Sequence, residues 1–259
     1  MTAIEVDATV DGPADAPVVV LSNSLGATRA MWDPQVPALA ERYRVVSYDT
    51  RGHGTSPAPA GPYTLDDLVD DVLALLDRLG AARAHVAGLS LGGMTALRLA
   101  AREPHRVHRL AVLCSSAKTE PQGFLDRAAT SRADGTASFA PTVVSRWLTP
   151  AYAAAHPDLV ARLEAQVAGA DDEGYAACAE VVGHVDLRAD LGRVTAPTLV
   201  VSGAEDQALP PEHQRAIADG IAGAELLTLS PGAHLANLEQ PLQVSGALLG
   251  HFDAAGDAR

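Results

Sequence analysis

The pentapeptide Gly88-Leu89-Ser90-Leu91-Gly92 is the part of this 259-residue sequence that is most informative about chemistry. It follows the apolar stretch 84–87 and leads into a helical pattern over 94–101. A serine on a tight turn between a strand and a helix exposes its hydroxyl above a sheet edge, and glycines on either side avoid Cβ collisions there. We therefore expect Ser90 to act as a nucleophile.

Two further residues could activate this serine, because a hydroxyl needs a base to take its proton and an acid to orient that base. Asp206 follows the apolar stretch 198–202, and His234 follows the stretch 226–229. Taken singly, such an aspartate is usually a turn former and such a histidine a capping or surface residue. Together with Ser90 they occur in the order nucleophile, acid, base, each after a strand, and this predicts a catalytic triad.

Acyl transfer also requires donors for the developing oxyanion, usually two backbone N–H groups. The Leu91 amide comes directly after the candidate nucleophile, at the start of a predicted helix. The Leu25 amide lies in the loop 22–26 and is the second candidate, with a simple polar turn as the alternative for that loop. Among the remaining histidines, His53 and His184 are the ones that could line a pocket.

Short apolar strands alternate with helical patterns along most of the chain, which predicts an α/β fold with a mostly parallel sheet and helices on both faces. Apolar residues at helical spacing predict a helix over 64–79, with Thr64 as its cap and Gly80 as its end. The predicted strands are 17–22, 44–48, 84–88, 107–114, 197–202 and 224–229.

The alternation breaks over residues 118–185, which are alanine-rich, helical in pattern and interrupted by prolines. We interpret this inserted segment as a helical cap on an α/β core formed by 1–117 and 186–259. Such a cap would cover the carboxyl ends of the strands, where open α/β sheets bind ligands. Trp147 is expected to line the ligand cavity, with a purely anchoring role as the alternative. A structural insertion without substrate contact is the alternative for the segment as a whole.

The amino-acid composition and charge limit which binding partners and which cellular compartment are expected. The net charge is −13, and Lys118 is the single lysine, which argues against a nucleic-acid partner. The first residues lack the basic and apolar regions of a secretory signal, and no apolar run is long enough to span a membrane, so we expect a cytoplasmic protein. Cys114 and Cys178 are expected to be buried free thiols. No histidine spacing is typical of a zinc site, and we predict neither a metal nor a cofactor.

These residues together resemble the α/β-hydrolase superfamily and, within it, the 3-oxoadipate enol-lactonases. The similarity runs through nearly the whole chain. The loop 23–26 and the segment around Tyr175 are its more specific parts, whereas 49–56 and the serine pentapeptide are common to the superfamily. The similar segments are 22–26, 48–56, 88–94, 117–118, Trp147, 174–178, 186–188 and 233–237.

The resemblance implies that Ser90 attacks the ring carbonyl of 3-oxoadipate enol-lactone, giving 3-oxoadipate in the breakdown of protocatechuate or catechol. The expected partner is thus a small anionic lactone, whose carboxylate needs a cationic or N–H-rich pocket. Arg132, Arg146 and Lys118 are the candidates, with a solvated surface role as the alternative for each. A broad carboxylesterase or lactonase, a cofactor-free perhydrolase and a non-enzymatic binding protein of the same fold are the competing functions. The sequence leaves the oligomeric state open.

Overall fold

A central sheet organises the chain, which the computed structural model describes over residues 2–254. Within these residues the sheet has seven strands in the order β1-β3-β2-β4-β5-β6-β7. β1 is antiparallel to β3, and every other pairing is parallel, so the predicted mostly parallel sheet is confirmed. The strands are β1 (Ala8–Asp11), β2 (Val18–Ser22), β3 (Arg44–Tyr48), β4 (Ala84–Leu89), β5 (Val107–Leu113), β6 (Thr198–Gly203) and β7 (Glu225–Leu229).

The six strands predicted from the sequence are all present, with each boundary within one residue of the expected position. β1 was missed. Its residues are mostly exposed, and it runs along the sheet edge with Ala8 opposite Tyr48. An edge strand of this kind lacks the continuous apolar run of a strand buried on both faces, such as β2, and so gives little signal in the sequence.

Helices flank the sheet, and the predicted helix over 64–79 is observed as Leu65–Arg78. Thr64 Oγ1 accepts the Asp67 N–H at 3.2 Å, while Asp67 accepts the Thr64 N–H at 2.8 Å, which closes a capping box at its start. Gly80 follows at φ +68° and ends it. The helices are α1 (Val36–Ala40), α2 (Leu65–Arg78), α3 (Leu91–Arg102), α4 (Gln122–Asp134), α5 (Ala140–Val144), α6 (Pro150–Ala155), α7 (Pro157–Ala168), α8 (Asp172–Gly183), α9 (Arg188–Leu191), α10 (Pro211–Gly220), α11 (Ala236–Glu239) and α12 (Pro241–Phe252).

The inserted segment lies between β5 and β6 and contains the five helices α4 to α8. Its two ends meet at one place. Lys118 and Asp186 form an isolated antiparallel bridge, and the Leu187 N–H donates to the Ala117 carbonyl oxygen at 2.6 Å. The chain therefore leaves the sheet and returns to it at neighbouring points. Over residues 2–254, no helix combines the length and the apolar character that crossing a membrane requires.

A buried ion pair fastens the loop after β3 to helix α2. Arg51 Nε and Nη2 each lie 2.7 Å from a carboxylate oxygen of Asp71, and the two side chains are 0% and 2% exposed. The Ile4 N–H donates to the same carboxylate at 2.8 Å. Because both charges are out of water, each depends on the other for compensation.

Asp71→Ala is expected to lower the free energy of unfolding by about 3–5 kcal/mol, since it leaves the buried Arg51 guanidinium without its counter-charge. Asp77→Ala is the matched control, because Asp77 lies on the same helix and pairs with Arg106 while its side chain is 69% exposed. That change should cost less than about 1 kcal/mol. Urea denaturation of both variants measures the difference, and equal losses would contradict the interpretation.

Candidate active site

Ser90 occupies the turn between β4 and α3 in a backbone conformation that non-glycine residues seldom adopt, with φ +56° and ψ −116°. Hydrogen bonds hold both its backbone N–H and its backbone carbonyl oxygen. Its N–H donates to the Leu113 carbonyl oxygen at 3.0 Å, and its own carbonyl oxygen accepts the Ser115 hydroxyl at 2.7 Å. These contacts fix the backbone of Ser90 and so place its side chain at the sheet edge.

The two flanking glycines permit this turn because the backbones pass very close to one another. A Cβ on Gly88 would lie 2.1 Å from the Gly92 carbonyl oxygen, and a Cβ on Gly92 would lie 2.3 Å from that of Ser22. Both contacts are far inside van der Waals distance and involve backbone atoms, which cannot swing away. The steric explanation derived from the sequence is confirmed.

His234 lies after β7 and is hydrogen-bonded to Asp206, which lies after β6. His234 Nδ1 is 2.9 Å from Asp206 Oδ2, and the two side chains are 3% and 0% exposed. The other carboxylate oxygen, Oδ1, accepts the Ala208 and Leu209 N–H groups at 2.8 and 2.9 Å. With Nδ1–H donating to the carboxylate, Nε2 of the neutral ring is left to accept a proton. The neighbouring Glu205 is exposed.

Ser90 and His234 line the same cavity, whose volume is about 350 Å³. This is at the lower end of the range for small-molecule sites. The inserted segment supplies a large part of the wall, including Phe124, Val143 and Trp147. Trp147 is buried, and its carbonyl oxygen accepts the Leu235 N–H at 2.8 Å, so the residue both lines the cavity and anchors the segment to the core.

The two predicted oxyanion donors are positioned by adjoining loops. Leu25 lines the cavity, and Leu91 is the first residue of α3. Within residues 2–254, neither backbone N–H donates a hydrogen bond to another protein group. The loops are joined, because the Gly92 N–H donates to the Asn23 carbonyl oxygen at 2.9 Å. Two free donors close to a serine nucleophile can stabilise an oxyanion.

The structure brings some of the proposed cationic residues to the cavity and not others. Arg146 lines it. Arg132 does not, since its guanidinium pairs with Glu173 at 2.7 Å and Glu180 at 2.5 Å on α8. Lys118 does not line it either, because it lies in the bridge at the base of the inserted segment.

Neither histidine expected at the pocket lines the cavity. His53 is buried beneath the loop that carries Leu25, where its ring bonds the Gly26 amide. His184 is exposed at the end of α8. The position of His53 next to the cavity, but behind its wall, depends on packing that residue spacing does not encode.

Arg127 is a cavity residue that the sequence analysis missed. Its Nη1 lies 3.4 Å from the Tyr175 hydroxyl oxygen, and its guanidinium carbon lies 4.6 Å from the centre of the Phe124 ring. Phe124 and Arg127 are three residues apart on α4, a spacing that places them on one helix face. This spacing was available in the sequence, but which face of α4 meets the cavity is decided by packing.

Both cysteines, Cys114 and Cys178, are free and buried, as predicted. Within the described part of the chain, no three histidine, cysteine or acidic side chains gather closely enough to hold a metal ion. The groups at or beside the cavity that can take part in chemistry include Ser90, His234 with Asp206, the Leu25 amide and the two arginines Arg127 and Arg146.

Comparison with known proteins identifies the family. A profile for the alpha/beta hydrolase fold matches residues 17–241. The chain belongs to the α/β-hydrolase family. This α/β hydrolase is 38% identical to 3-oxoadipate enol-lactonase 2 of Acinetobacter baylyi, over 89% of the chain and 86% of that protein. The crystal structure of the enol-lactonase from Burkholderia xenovorans superposes with a TM-score of 0.93 at 39% identity, covering 95% of this chain and 96% of that one.

A second group of relatives carries a different name. The α/β hydrolase is 32% identical to the putative carbamate hydrolase RutD of Stutzerimonas stutzeri, over 92% of each chain. The resemblance recognised in the sequence is thus confirmed at the level of the family and its enol-lactonase relatives. The hydrolase class is common to both groups of relatives.

Ser90→Ala, Asp206→Asn and His234→Ala are each expected to lower kcat by about 10³-fold or more while leaving thermal stability near that of the wild type, because the three act as one unit. Glu205→Gln is the matched control, since Glu205 is adjacent to Asp206 but exposed, and it should change kcat little. Ester hydrolysis and thermal melts provide the measurements. Near-normal kcat in Asp206→Asn would assign the acid to another carboxylate.

Proposed function

We propose that this α/β hydrolase opens the lactone ring of 3-oxoadipate enol-lactone to give 3-oxoadipate. One observation carries the proposal: the cavity that Ser90 and His234 line is also lined by Arg127 and Arg146. A hydrolytic site beside two cationic side chains suits a small acyl compound that bears a carboxylate. The enol-lactonase relatives described above support the same substrate.

The reaction we propose runs in two stages. Ser90 Oγ attacks the lactone carbonyl carbon and gives its proton to His234 Nε2, while Asp206 stabilises the imidazolium. The oxyanion accepts hydrogen bonds from the Leu25 and Leu91 amides. The ring C–O bond then breaks, the enol oxygen takes the proton from His234, and the enol becomes the ketone. Water deprotonated by His234 next hydrolyses the acyl-enzyme, which releases 3-oxoadipate and restores the serine.

The two arginines are suited to hold the substrate carboxylate. Within residues 2–254, neither Arg127 nor Arg146 forms an ion pair with a carboxylate. Asp126 also lines the cavity, and its carboxylate accepts a hydrogen bond from the Gln122 amide at 2.7 Å. The net charge of −13 repels an anion at long range, so a local cationic wall is needed for binding.

We also propose that the inserted segment, residues 118–185, acts as a cap over the site. It supplies both arginines and the Trp147 wall, whereas the sheet supplies Ser90, Asp206 and His234. In this division the sheet performs the chemistry and the cap selects the substrate. Exclusion of water by the apolar wall strengthens the electrostatic contacts to the oxyanion.

Carbamate hydrolysis is the second candidate, favoured by the relatives named as putative carbamate hydrolases. It would use the same serine and the same amide donors, with an amine in place of the enol as the leaving group. A substrate carboxylate separates the candidates, since the arginines contribute to binding only where a carboxylate lies away from the reacting carbonyl. A broad carboxylesterase would gain nothing from them.

The kcat/KM for 3-oxoadipate enol-lactone is expected to exceed that for its neutral methyl ester by about tenfold or more, equivalent to one charge-assisted hydrogen bond. Arg127→Ala and Arg146→Ala should each remove much of this preference by raising KM for the lactone, with hydrolysis of p-nitrophenyl acetate little changed. Arg132→Ala is the control, because Arg132 pairs with two glutamates outside the cavity.

Spectrophotometric loss of the enol-lactone is the assay for these variants. Equal turnover of the acid and its methyl ester, with no effect of either arginine, would refute the enol-lactonase assignment in favour of a broad esterase. Turnover of carbamates in preference to the lactone would instead favour the second candidate.

A further inference from the structure

His53 is almost fully buried, with 2% of its surface exposed, and both of its ring nitrogens are within hydrogen-bonding distance of backbone groups. The Gly26 N–H donates to Nε2 at 2.9 Å, and Nδ1 lies 3.1 Å from the Arg51 carbonyl oxygen. A backbone N–H can only donate and a carbonyl oxygen can only accept. The ring is therefore neutral, with its proton on Nδ1 and a lone pair on Nε2 directed at Gly26.

The Gly26 N–H, which donates to His53, is adjacent to the Leu25 amide, a predicted oxyanion donor. Gly26 follows Leu25 and turns the chain at φ +81°. At the other end of this loop, Asn23 Nδ2 donates to the Tyr48 carbonyl oxygen at 2.7 Å, and the Asn23 carbonyl oxygen accepts the Gly92 N–H at 2.9 Å. The Leu25 amide thus lies between two points of attachment, one at Asn23 and one at His53.

His53 also packs where the core meets the inserted segment. Its ring centre lies 6.3 Å from that of Tyr175 on α8. The neighbouring backbones touch, since a Cβ on Gly52 would lie 2.4 Å from the Gly174 Cα. A Cβ on Gly26 would lie 3.1 Å from the Tyr175 ring. The Tyr175 ring opposes a shift of the loop toward α8, and the hydrogen bond from Gly26 opposes a shift away from His53.

We propose that His53 is a positioning residue for the reaction: as a neutral hydrogen-bond acceptor for Gly26, it holds the Leu25 amide where the oxyanion forms. The proposal rests on the proposed function only in taking Leu25 as an oxyanion donor, and it holds for any acyl substrate. Protonation of the ring would convert Nε2 into a donor, and the Gly26 N–H would lose its acceptor.

The surroundings keep the ring neutral near neutral pH. Burial lowers the pKa of His53 below its usual value of 6.5, and this effect exceeds the opposing influence of the Arg51 carbonyl and of two carboxylates, Asp49 and Asp171. The Asp49 carboxylate is itself paired with Arg29 at 2.7 Å. Because the folded-state pKa lies below the usual value, the bond to Gly26 persists into mildly acidic solution and is lost as the pH falls further.

Substitution tests the acceptor role. His53→Ala is expected to lower kcat for p-nitrophenyl acetate by about 10- to 100-fold, somewhat less than the loss of a whole oxyanion donor, with KM changed less than about twofold. His53→Gln should restore most of kcat, since its amide oxygen can accept from Gly26 and does not titrate. His184→Ala, at an exposed histidine outside the cavity, is the control and should resemble the wild type.

A spectroscopic measurement tests the proposal without relying on activity. Nitrogen-15 NMR of the ring should show the proton of His53 on Nδ1, with Nε2 unprotonated, between about pH 6 and 8. A proton on Nε2 in that range would overturn the proposal, even if His53→Ala failed to fold. A stable His53→Ala with wild-type kcat would also overturn it, as would a His53→Gln variant as slow as His53→Ala.

The aryl acetate separates this proposal from the substrate assignment. If the wild-type protein hydrolysed p-nitrophenyl acetate but not the enol-lactone, the proposed substrate would be wrong. The expected effects of the His53 variants would remain unchanged. If neither compound were hydrolysed, the proposed function would fail, and the site of protonation measured by NMR would still decide whether His53 is the acceptor for Gly26.

Discussion

The positive φ of Ser90 is the constraint on which the rest of the site depends. A non-glycine residue in such a conformation costs on the order of 1–3 kcal/mol, and it persists only where surrounding contacts over-determine it. Here the contacts are backbone to backbone: Ser90 to Leu113, Gly92 to Asn23, and Gly92 against the Ser22 carbonyl. Through these contacts, the three parallel strands β2, β4 and β5 hold the strained turn in place. The loop with the Leu25 amide is attached to the same framework.

Parallel strand order explains why residues far apart in sequence meet at this turn. β6 and β7 pair in parallel beside β5, so their carboxyl ends emerge at the same sheet edge as that of β4. Asp206 and His234 occupy the loops that begin there. The two backbone amides that bind Asp206 Oδ1 leave its other oxygen for His234. The positions of Asp206 and His234 therefore follow largely from the sheet, and the inserted segment adds a contact to the His234 loop through the Trp147 carbonyl oxygen.

The features predicted correctly from the sequence are those that short-range residue patterns determine. The features that were missed depend on packing between distant parts of the chain. Buried strands, the capped helix α2 and the residues on loops after strands all carry short-range signals. β1 carries none, because its side chains are mostly exposed. Arg132 and Arg127 lie on the same helix, and both are plausible from sequence. The position of α8 directs Arg132 to two glutamates and leaves Arg127 at the cavity. The hydrogen bond between His53 and Gly26 joins two loops, so the spacing of residues along the sequence does not reveal it either.

The meeting of Ala117 with Leu187 has an evolutionary consequence. Because the inserted segment begins and ends at neighbouring points of the core, its length and helix arrangement can change during evolution while the strands keep their register. Under the proposed function, substitutions in this segment alter which molecules bind, and substitutions at the sheet edge alter whether any bond is broken at all. A scaffold of this kind can thus change its substrate range by exchanging one segment.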